Sequence, residues 1–520
     1  MEDIQTLPRK RQRLIEEPDI RLSACDFRDV LESDCFVDKT MLIKEVLNES
    51  EECFVITAPR RFGKSINLSM LKLFLTIEVD ENGQRITKSI EKPVHDTKNY
   101  RCFTSPIPKL PERKLKISKE IEILNKHLGK YPVIFVDFRG GLVQSFKDVI
   151  EKCKKVIHNS YLEHEYLCRS KKLNTYEKNI CKKWCSETEY NTFDAVDVVS
   201  SLKGLSKCLF KHFDHKCFVL IDIYDSVCST SRFQVEETAF RDIKMFYLSI
   251  FGFLLKGNKK NVCSSFITGI SYIGHSNNIN NVSDKFVQNR KFINFYGLTF
   301  DEVEDLGKRF SFEEGEFENF VEYYNGYECG EKKIFNMWSL ISYLKFQKIK
   351  NVWKESGMVM NITDTLKILE VQSCLNTLLN HSDNTIEVDF VEKIHVDQIS
   401  KLKKVLVNDL ANSCIRFNFL LEHGYFAICN INENTRKVVL RSPDPYNESR
   451  SQFEQKLKIY YERLYKLNFY TVEHCFIRWN AINFNVEDSI KDNLNKICKI
   501  LNIIFKSILL LRGNEATFHI

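Results

Sequence analysis

A stretch near the N-terminus constrains the fold of this chain most strongly. It contains the short apolar run Phe54–Ile56, then the loop 58–65 with the sequence APRRFGKS, and then an apolar helical pattern over Ile66–Leu75. A strand followed by a loop that ends in Gly-Lys-Ser at the start of a helix is typical of phosphate-binding loops, because backbone N–H groups and the helix N-terminus point at the phosphates. In such a loop Lys64 reaches the β- and γ-phosphates, and Ser65 ligates Mg²⁺.

The context of the loop, more than its letters, favours nucleotide binding. The general form is G-x-x-x-x-G-K-[ST], and this chain has Ala58 in place of the first glycine. A Gly-Lys-Ser tripeptide alone also occurs in surface turns. The order of strand, loop and helix therefore leads us to predict ATP and Mg²⁺ as cofactors. The predicted nucleotide contacts are Arg60, Arg61, Phe62, Gly63, Lys64 and Ser65.

Further apolar runs alternate with helical patterns along the chain. Val133–Val136 precedes a helical pattern over Ser145–Leu162, Phe218–Ile221 precedes one over Val235–Leu255, and Phe266–Ile267 precedes a polar loop. Short apolar strands that alternate with longer amphipathic helices indicate βαβ units and a parallel sheet. Strands without polar positions indicate that helices cover both faces of the sheet. We therefore predict an α/β fold with a P-loop NTPase core.

Two of these strands end in residues that suit a nucleotide site. Phe218–Ile221 is followed by Asp222, which we expect to ligate Mg²⁺ from the tip of the strand next to the phosphate loop. Phe266–Ile267 is followed by Thr268, which lies where a residue that senses the γ-phosphate is expected. A plain transition from strand to loop explains Thr268 equally well.

The residue after Asp222 bears on hydrolysis. Hydrolytic members of this broad class usually have a glutamate there to polarise the attacking water, but this chain has Ile223, which accepts no proton. Asp225 is the remaining candidate catalytic residue. The favoured alternative is that Asp225 caps the turn that follows it.

Composition limits the class of protein. The 520 residues correspond to about three domains, and 43% hydrophobic residues exclude disorder of the whole chain. The net charge of +6 permits nucleic-acid binding but does not argue for it. The 18 cysteines are scattered singly, which is typical of reduced, buried thiols, and no apolar run is long enough to span a bilayer. We therefore expect an intracellular protein, cytoplasmic or nuclear, that does not bind a membrane.

Changes in composition suggest four regions. We predict a disordered basic tail at 1–21, a P-loop domain at 22–300 with insertions near 80–130 and 169–192, a mostly helical lid at 301–400, and a small helical or winged-helix-like module at 401–520. The second insertion is charged and irregular in pattern. Within the last region, 425–431 and 437–441 read as a β-hairpin.

One group of potential metal ligands also stands out. His164, Cys168, Cys181 and Cys185 are residue types that bind zinc. Their spacing does not match the common zinc modules, so we do not expect a zinc site.

A series of motifs resembles the AAA-ATPase-like family. The motifs are Phe36–Thr40, Ala58–Leu71, Tyr131–Ile134, Ile221–Asp225, Thr268–Ile270, Tyr296–Val303, Tyr324–Tyr327 and Phe335–Ser339. In that family the loop typically reads R-P-R-R-F-G-K-[ST], and the Asp222 strand ends in D-E-Y-D. This chain differs at Ala58, where the family has Arg, at Ile223, where it has Glu, and at Ser226–Val227, where it has Lys-Pro.

The resemblance implies an ATP-binding P-loop NTPase of AAA/STAND type, with weak or lost hydrolysis because of Ile223. Many members of the family also carry a nuclease of PD-(D/E)XK type, and residues 515–520 resemble only the start of such a domain. We therefore expect the NTPase part without a working nuclease. The alternative is a non-catalytic nucleic-acid- or protein-binding scaffold derived from an NTPase–nuclease ancestor. A homo-oligomer and a nucleic acid remain open as partners besides the nucleotide.

Overall fold

In the computed structural model, the described residues fall into thirteen stretches. These are 18–48, 53–86, 97–141, 143–231, 234–272, 283–285, 292–313, 315–324, 327–329, 332–349, 385–389, 417–432 and 437–441. The predicted basic tail lies almost entirely outside them, as do most of 350–416 and all residues after 441.

Helices and strands alternate through the first half of the chain. The helices α1 to α13 are Phe27–Leu31, Met41–Asn48, Lys64–Leu75, Lys98–Thr104, Ile121–His127, Phe146–Leu162, Thr175–Cys185, Ala195–Phe213, Ser226–Ser231, Glu237–Leu255, Phe300–Arg309, Glu316–Tyr323 and Met337–Phe346. The strands β1 to β13 are Cys53–Thr57, Pro106–Ile107, Leu110–Lys114, Val133–Asp137, Cys217–Asp222, Val262–Gly269, Ser283–Lys285, Leu298–Thr299, Tyr327–Cys329, Lys332–Phe335, Thr385–Asp389, Ala427–Asn432 and Lys437–Arg441. A further helical segment covers 417–422. None of the helices in the described residues combines the length and the apolar character that a membrane crossing needs.

The central sheet is parallel, as the apolar strands predict. Its strands lie in the order β4, β5, β6, β1, β7. Successive residues of one strand enter two different cores: Phe54 and Ile56 pack on the side of α3, whereas Val55 packs on the side of α6, α8 and α10. Since helices cover both faces, a strand has no solvent-facing position that would favour a polar residue.

The predicted position of the Asp222 strand is wrong in one respect. β5 does not neighbour β1, because β6 lies between them and pairs with both in parallel. Strand order depends on where each crossover helix packs, and the local pattern of a strand does not encode it. The carboxyl ends of all three strands still meet at one edge of the sheet, with Thr268 of β6 beside Asp222.

The three helical patterns next to the apolar strands are confirmed as α3, α6 and α10. Their boundaries follow local chemistry. Ser145 caps α6 by accepting a hydrogen bond from the backbone N–H of Asp148. Such a cap satisfies one of the amide groups that a helix N-terminus leaves without an intrahelical partner.

The stretch 169–192 is more regular than its sequence suggests. It contains α7, whose N-terminus is closed by a capping box between Asn174 and Glu177. Trp184 of α7 is buried, and its ring stacks on Phe193 with centroids 4.2 Å apart. The charged residues of α7 cover the exposed face of an amphipathic helix, which explains why the pattern looked irregular.

Two smaller sheets follow the central one. β8, β10 and β9 form an antiparallel sheet that packs with α11, α12 and α13 into a separate apolar core. None of these strands, which have two to four residues each, was identified from the sequence. The predicted hairpin is confirmed as β12 and β13, and β11 extends it to three antiparallel strands. The winged-helix part of the prediction lies mostly outside the described residues.

Candidate functional site

The loop between β1 and α3 has an unusual backbone. Arg61 and Gly63 are both in the left-handed region, with φ of 65° and 82°. The backbone N–H of Ala58 donates to the carbonyl of Gly269 over 3.1 Å, so the loop begins at the edge of the sheet. Gly63 is the N-cap of α3, and no side chain in the described residues caps that helix. The amide groups of its first turn are therefore the anion-binding groups that such a loop offers.

Lys64 closes the loop on itself. Its Nζ donates to the carbonyl oxygens of Ala58 and Pro59 over 2.8 and 2.6 Å. Burial of the ammonium group lowers the pKa of Lys64 to about 8, although the charges of Asp225 and Asp222 act to raise it. A buried cation that is paired mainly with carbonyl groups gains strongly from an incoming phosphate.

Asp222, Thr268 and Ser65 converge at the edge of the sheet. The Oγ1 of Thr268 donates to Oδ1 of Asp222 over 2.7 Å, and both side chains are fully buried. Burial raises the pKa of Asp222, and hydrogen bonds from Ser65 and Thr268 act to lower it. The structure therefore brings together the two predicted metal ligands and the predicted sensor.

The residues fit a magnesium ion. Oδ2 of Asp222 is buried and accepts no hydrogen bond from the described residues. Mg²⁺ prefers oxygen ligands, and it usually takes one or two carboxylates together with phosphate oxygens and water. Asp222 and the hydroxyl of Ser65 are the protein groups that would hold it.

Ile223 and Asp225 differ in what they offer the site. Ile223 has a φ of 48°, a conformation that is strained for a β-branched residue. The carboxylate of Asp225 is buried and accepts from the backbone N–H groups of Ile270 and Ser271 over 3.1 and 3.0 Å. It also accepts from the hydroxyl of Ser229, in the helix that follows. Asp225 thus ties the end of β5 to the loop after β6, which goes beyond the turn cap considered from sequence.

The sequence reasoning missed two charged residues at the same edge. Asp137 ends β4 and lies opposite Asp222 in the parallel register. Arg139 donates from Nε to Oδ2 of Asp137 over 2.7 Å, and the same Nε lies 3.8 Å from Oδ2 of Asp222. The available signal was the same as for β5, because the apolar run Val133–Val136 also ends in an aspartate.

Three of the predicted nucleotide contacts interact with residues between 297 and 338, which follow the central sheet in the chain. Phe62 is fully buried, and its carbonyl accepts from the backbone N–H of Gly297 over 3.0 Å. The guanidinium of Arg61 lies 3.9 Å from the centre of the Trp338 ring. The carbonyl of Arg60 accepts from the side chain of Asn336 over 3.3 Å, and burial lowers the pKa of Arg60. The backbone carbonyls of Phe62 and Arg60 and the side chain of Arg61 therefore help to fix the position of the loop.

Gly424, in the C-terminal part of the chain, lies against the loop, because a Cβ atom added to it would be 2.9 Å from Cβ of Pro59. The hydroxyl of Tyr327 donates to the carbonyl of Gly424 over 2.6 Å. His423 is buried beside the loop. Burial lowers the pKa of His423 to about 3, and the charges of Arg60 and Lys64 act in the same direction.

A cavity lies beside Gly63, between the N-terminal segment, α3 and α13. It encloses about 710 Å³, including space that is open to solvent. Its lining is largely apolar and includes Leu22, Phe27, Gly63, Met70, Met337 and Ile341.

The potential zinc ligands do not form a metal site. Both ring nitrogens of His164 are engaged, one with the hydroxyl of Tyr166 and the other with the carbonyl of Val133. Among the described residues, no group of three or more histidine, cysteine or acidic side chains has a metal-binding arrangement.

The parallel sheet, the loop before α3 and the acidic end of β5 define an α/β protein whose architecture is compatible with a P-loop NTPase-like core. The family model described as Predicted AAA-ATPase matches residues 22–104 and 112–277. The N-terminal region of the chain therefore belongs to the AAA-ATPase-like family, which suggests the use of a nucleotide and Mg²⁺. No curated protein and no solved structure gives a significant match to the chain.

Proposed function

We propose that this protein binds ATP with Mg²⁺ at the loop 58–65 and hydrolyses it slowly, as a P-loop NTPase of AAA/STAND type. The observation that carries the proposal is the convergence of Lys64, Ser65 and Asp222, with Thr268 bonded to the carboxylate. In this arrangement the amide groups of α3 and the ammonium of Lys64 hold the phosphates. Thr268 keeps the carboxylate of Asp222 in one orientation.

Magnesium supplies positive charge that offsets the charge of the phosphates when it is bound. Ser65 and Asp222 would hold it. Lys64 exchanges its two carbonyl partners in the loop for phosphate oxygens. That exchange is favourable because phosphate oxygens carry negative charge, so the attraction between opposite charges adds to the hydrogen bonds, whereas the carbonyl groups carry no net charge.

The cavity beside Gly63 suits the base of the nucleotide. It adjoins the loop directly, and residues from both the N-terminal segment and the lid line it. A base held there touches α13 through Met337 and Ile341. The position of the lid then depends on the bound nucleotide, as expected for the AAA/STAND type.

Slow hydrolysis follows from the groups at the end of β5. Ile223 has no acceptor atom, and both carboxylate oxygens of Asp225 accept hydrogen bonds from backbone amide groups. Help from a positioned acceptor is typically worth about 10²–10⁴-fold in rate. We therefore expect turnover below about 1 s⁻¹, the low end for ordinary enzymes.

A nucleotide-dependent shift in melting temperature tests the proposal. A ligand at 100 times its dissociation constant stabilises the folded state by about 2.7 kcal/mol. ATP with Mg²⁺ should raise the melting temperature of the wild type, and Lys64→Ala should abolish the rise. Lys154→Ala is the matched control, because Lys154 of α6 is about as buried as Lys64 and donates to the carbonyl of Asn191, away from the loop.

The same experiment separates the proposal from the scaffold alternative. Removal of Mg²⁺ with a chelator should reduce the rise caused by ATP. A wild type that shows no rise at millimolar ATP and Mg²⁺ would instead favour the scaffold, and the proposal would be wrong.

A further inference from the structure

Asp137 and Arg139 form an ion pair at the carboxyl edge of the sheet, beside the proposed magnesium ligand. The backbone N–H of Arg139 donates to Oδ1 of Asp137 over 2.9 Å, and its Nε donates to Oδ2 over 2.7 Å. The Nη2 atom lies 2.5 Å from the same Oδ2. The side chains of Arg139 and Asp137 are 39% and 26% exposed, so an incoming ligand can reach both.

The other side chains considered at this edge are hydrogen-bonded to other groups or have no acceptor atom. Asp225 is buried, with both oxygens bonded to backbone amide groups, and Asp222 is bonded to Thr268. Ile223 offers no acceptor. Among the described carboxylates at this edge, Asp137 therefore differs in being partly exposed and bonded only to its neighbour Arg139.

The pair is also close enough to act on the terminal phosphate. Nε of Arg139 lies 3.8 Å from Oδ2 of Asp222, the oxygen left for the metal. A γ-phosphate beside the metal would thus lie within a short side-chain movement of Arg139.

We propose that Arg139 binds the γ-phosphate of ATP and that Asp137, once released by Arg139, orients the attacking water. This inference rests on the proposed function. Arginine matches the geometry of phosphate oxygens, and a phosphate carries more negative charge than a carboxylate, so the exchange of partners is favourable. Arg139 then supplies from within the chain the cation that stabilises charge during phosphoryl transfer.

The reaction step balances without a further reactant. Asp137 accepts a hydrogen bond from the water, whose oxygen forms a bond to the γ-phosphorus. The bond between that phosphorus and the β–γ bridging oxygen breaks, and its electron pair leaves with ADP. One proton of the water moves to an oxygen of the transferred phosphoryl group and the other stays on the attacking oxygen, so the inorganic phosphate leaves as H₂PO₄⁻. Water held by a carboxylate on β4, and not by a residue directly after Asp222, agrees with slow turnover.

Two substitutions with opposite expected effects on binding test the pair. Arg139→Gln should reduce the preference for ATP over ADP by about tenfold or more, because it removes a charge-assisted contact to the γ-phosphate. Asp137→Asn should preserve or increase that preference, because it removes a negative charge that competes for Arg139. A merely structural role would lower the affinity for both nucleotides in both variants.

Two further readouts report on the attacking water. Single-turnover phosphate release should fall by about a hundredfold in Asp137→Asn. Aluminium fluoride bound with ADP mimics the phosphoryl group during transfer, so the two together should raise the melting temperature of the wild type more than ADP alone does. This additional rise should disappear in both Arg139→Gln and Asp137→Asn. Arg139→Lys should recover part of the ATP preference, since it keeps the charge. The matched controls are Arg113→Gln and Asp305→Asn, which break an exposed Arg–Asp pair between β3 and α11.

The outcomes separate this inference from the proposed function. If the wild type binds ATP but Arg139→Gln keeps its ATP preference and Asp137→Asn keeps its phosphate release, the inference is overturned and nucleotide binding stands. If the wild type shows no response to ATP, the proposed function fails and this inference fails with it. The melting temperature without nucleotide checks that each variant is folded.

Discussion

Gly424 packs directly against Pro59 of the loop 58–65. A Cβ atom at position 424 would lie 2.9 Å from Cβ of Pro59 and 3.0 Å from the hydroxyl of Tyr327, and Gly424 has a φ of 84°. Phe419, five residues earlier, belongs to the core of the central sheet. The C-terminal segment therefore touches both the core and the loop, so its position can respond to a ligand at the loop.

Gly424→Ala should destabilise the protein more than an equivalent change elsewhere. It combines a strained positive φ with a clash against Pro59, and we expect about 2–4 kcal/mol from the two effects together. Gly257→Ala is the control, because Gly257 also has a positive φ, of 67°, but no atom lies within 4 Å of its added Cβ. Urea unfolding measures both. Equal losses would mean that the contact with the loop contributes nothing.

Ile223→Glu should raise the rate of ATP hydrolysis. The new carboxylate restores an acceptor directly after Asp222, where water attack in this class is usually assisted, and about tenfold or more is expected. Ile223→Gly serves as the control because it relieves the positive φ of 48° without adding a carboxylate. Phosphate release under saturating ATP measures the difference. If both variants release phosphate at a similar rate, the increase over the wild type comes from relief of backbone strain and not from the new carboxylate.

Thr268→Val should destabilise the protein and weaken Mg²⁺-dependent ATP binding. It removes the 2.7 Å hydrogen bond to the buried carboxylate of Asp222 while it keeps the shape of the side chain. Loss of a hydrogen bond to a charged group costs about 1.5–3 kcal/mol. Thr268→Ser retains the hydroxyl and should behave much more like the wild type. Titration calorimetry with ATP, with and without Mg²⁺, provides the measurement.

The protein should lose stability as the pH falls from about 6.5 to 4. Burial lowers the pKa of His164 to about 4, whereas an unfolded histidine has a pKa of 6.5. Between these values the unfolded chain binds a proton that the folded chain does not, so the stability present above pH 6.5 is lost on acidification. Burial also lowers the pKa of His127 to about 4, so His127 changes the stability with pH in the same direction.

The variant His164→Gln tests this origin of the pH dependence. Glutamine does not titrate, so the free energy of unfolding should fall less between pH 6.5 and 4.5 than in the wild type. The difference should be about 2–3 kcal/mol, since one pKa unit corresponds to about 1.4 kcal/mol. Parallel curves for the two proteins would contradict the prediction.

Local patterns identified the elements that build the site. The apolar strands, the helix after the loop, and the polar residues Lys64, Ser65, Asp222 and Thr268 were all visible in the sequence. These features depend on a few neighbouring residues: the periodicity of helices and strands, helix caps and the residue types of a Gly-Lys-Ser loop. They can therefore be identified from a single sequence. The parallel sheet followed because fully apolar strands require cover on both faces.

The tertiary structure determined which residues from distant segments of the chain contact one another. It placed β6 between β1 and β5, brought Asp137 opposite Asp222, and set Gly424 on the loop. It also showed that Asp225 joins two loops 45 residues apart. Such contacts depend on strand order, on the packing of crossover helices and on the close approach of backbone segments. No local sequence pattern at these residues indicates which distant residue each one contacts. The sequence by itself therefore determined the strand, loop and helix in which the predicted phosphate-binding groups lie, and only the fold decided which charged groups surround them.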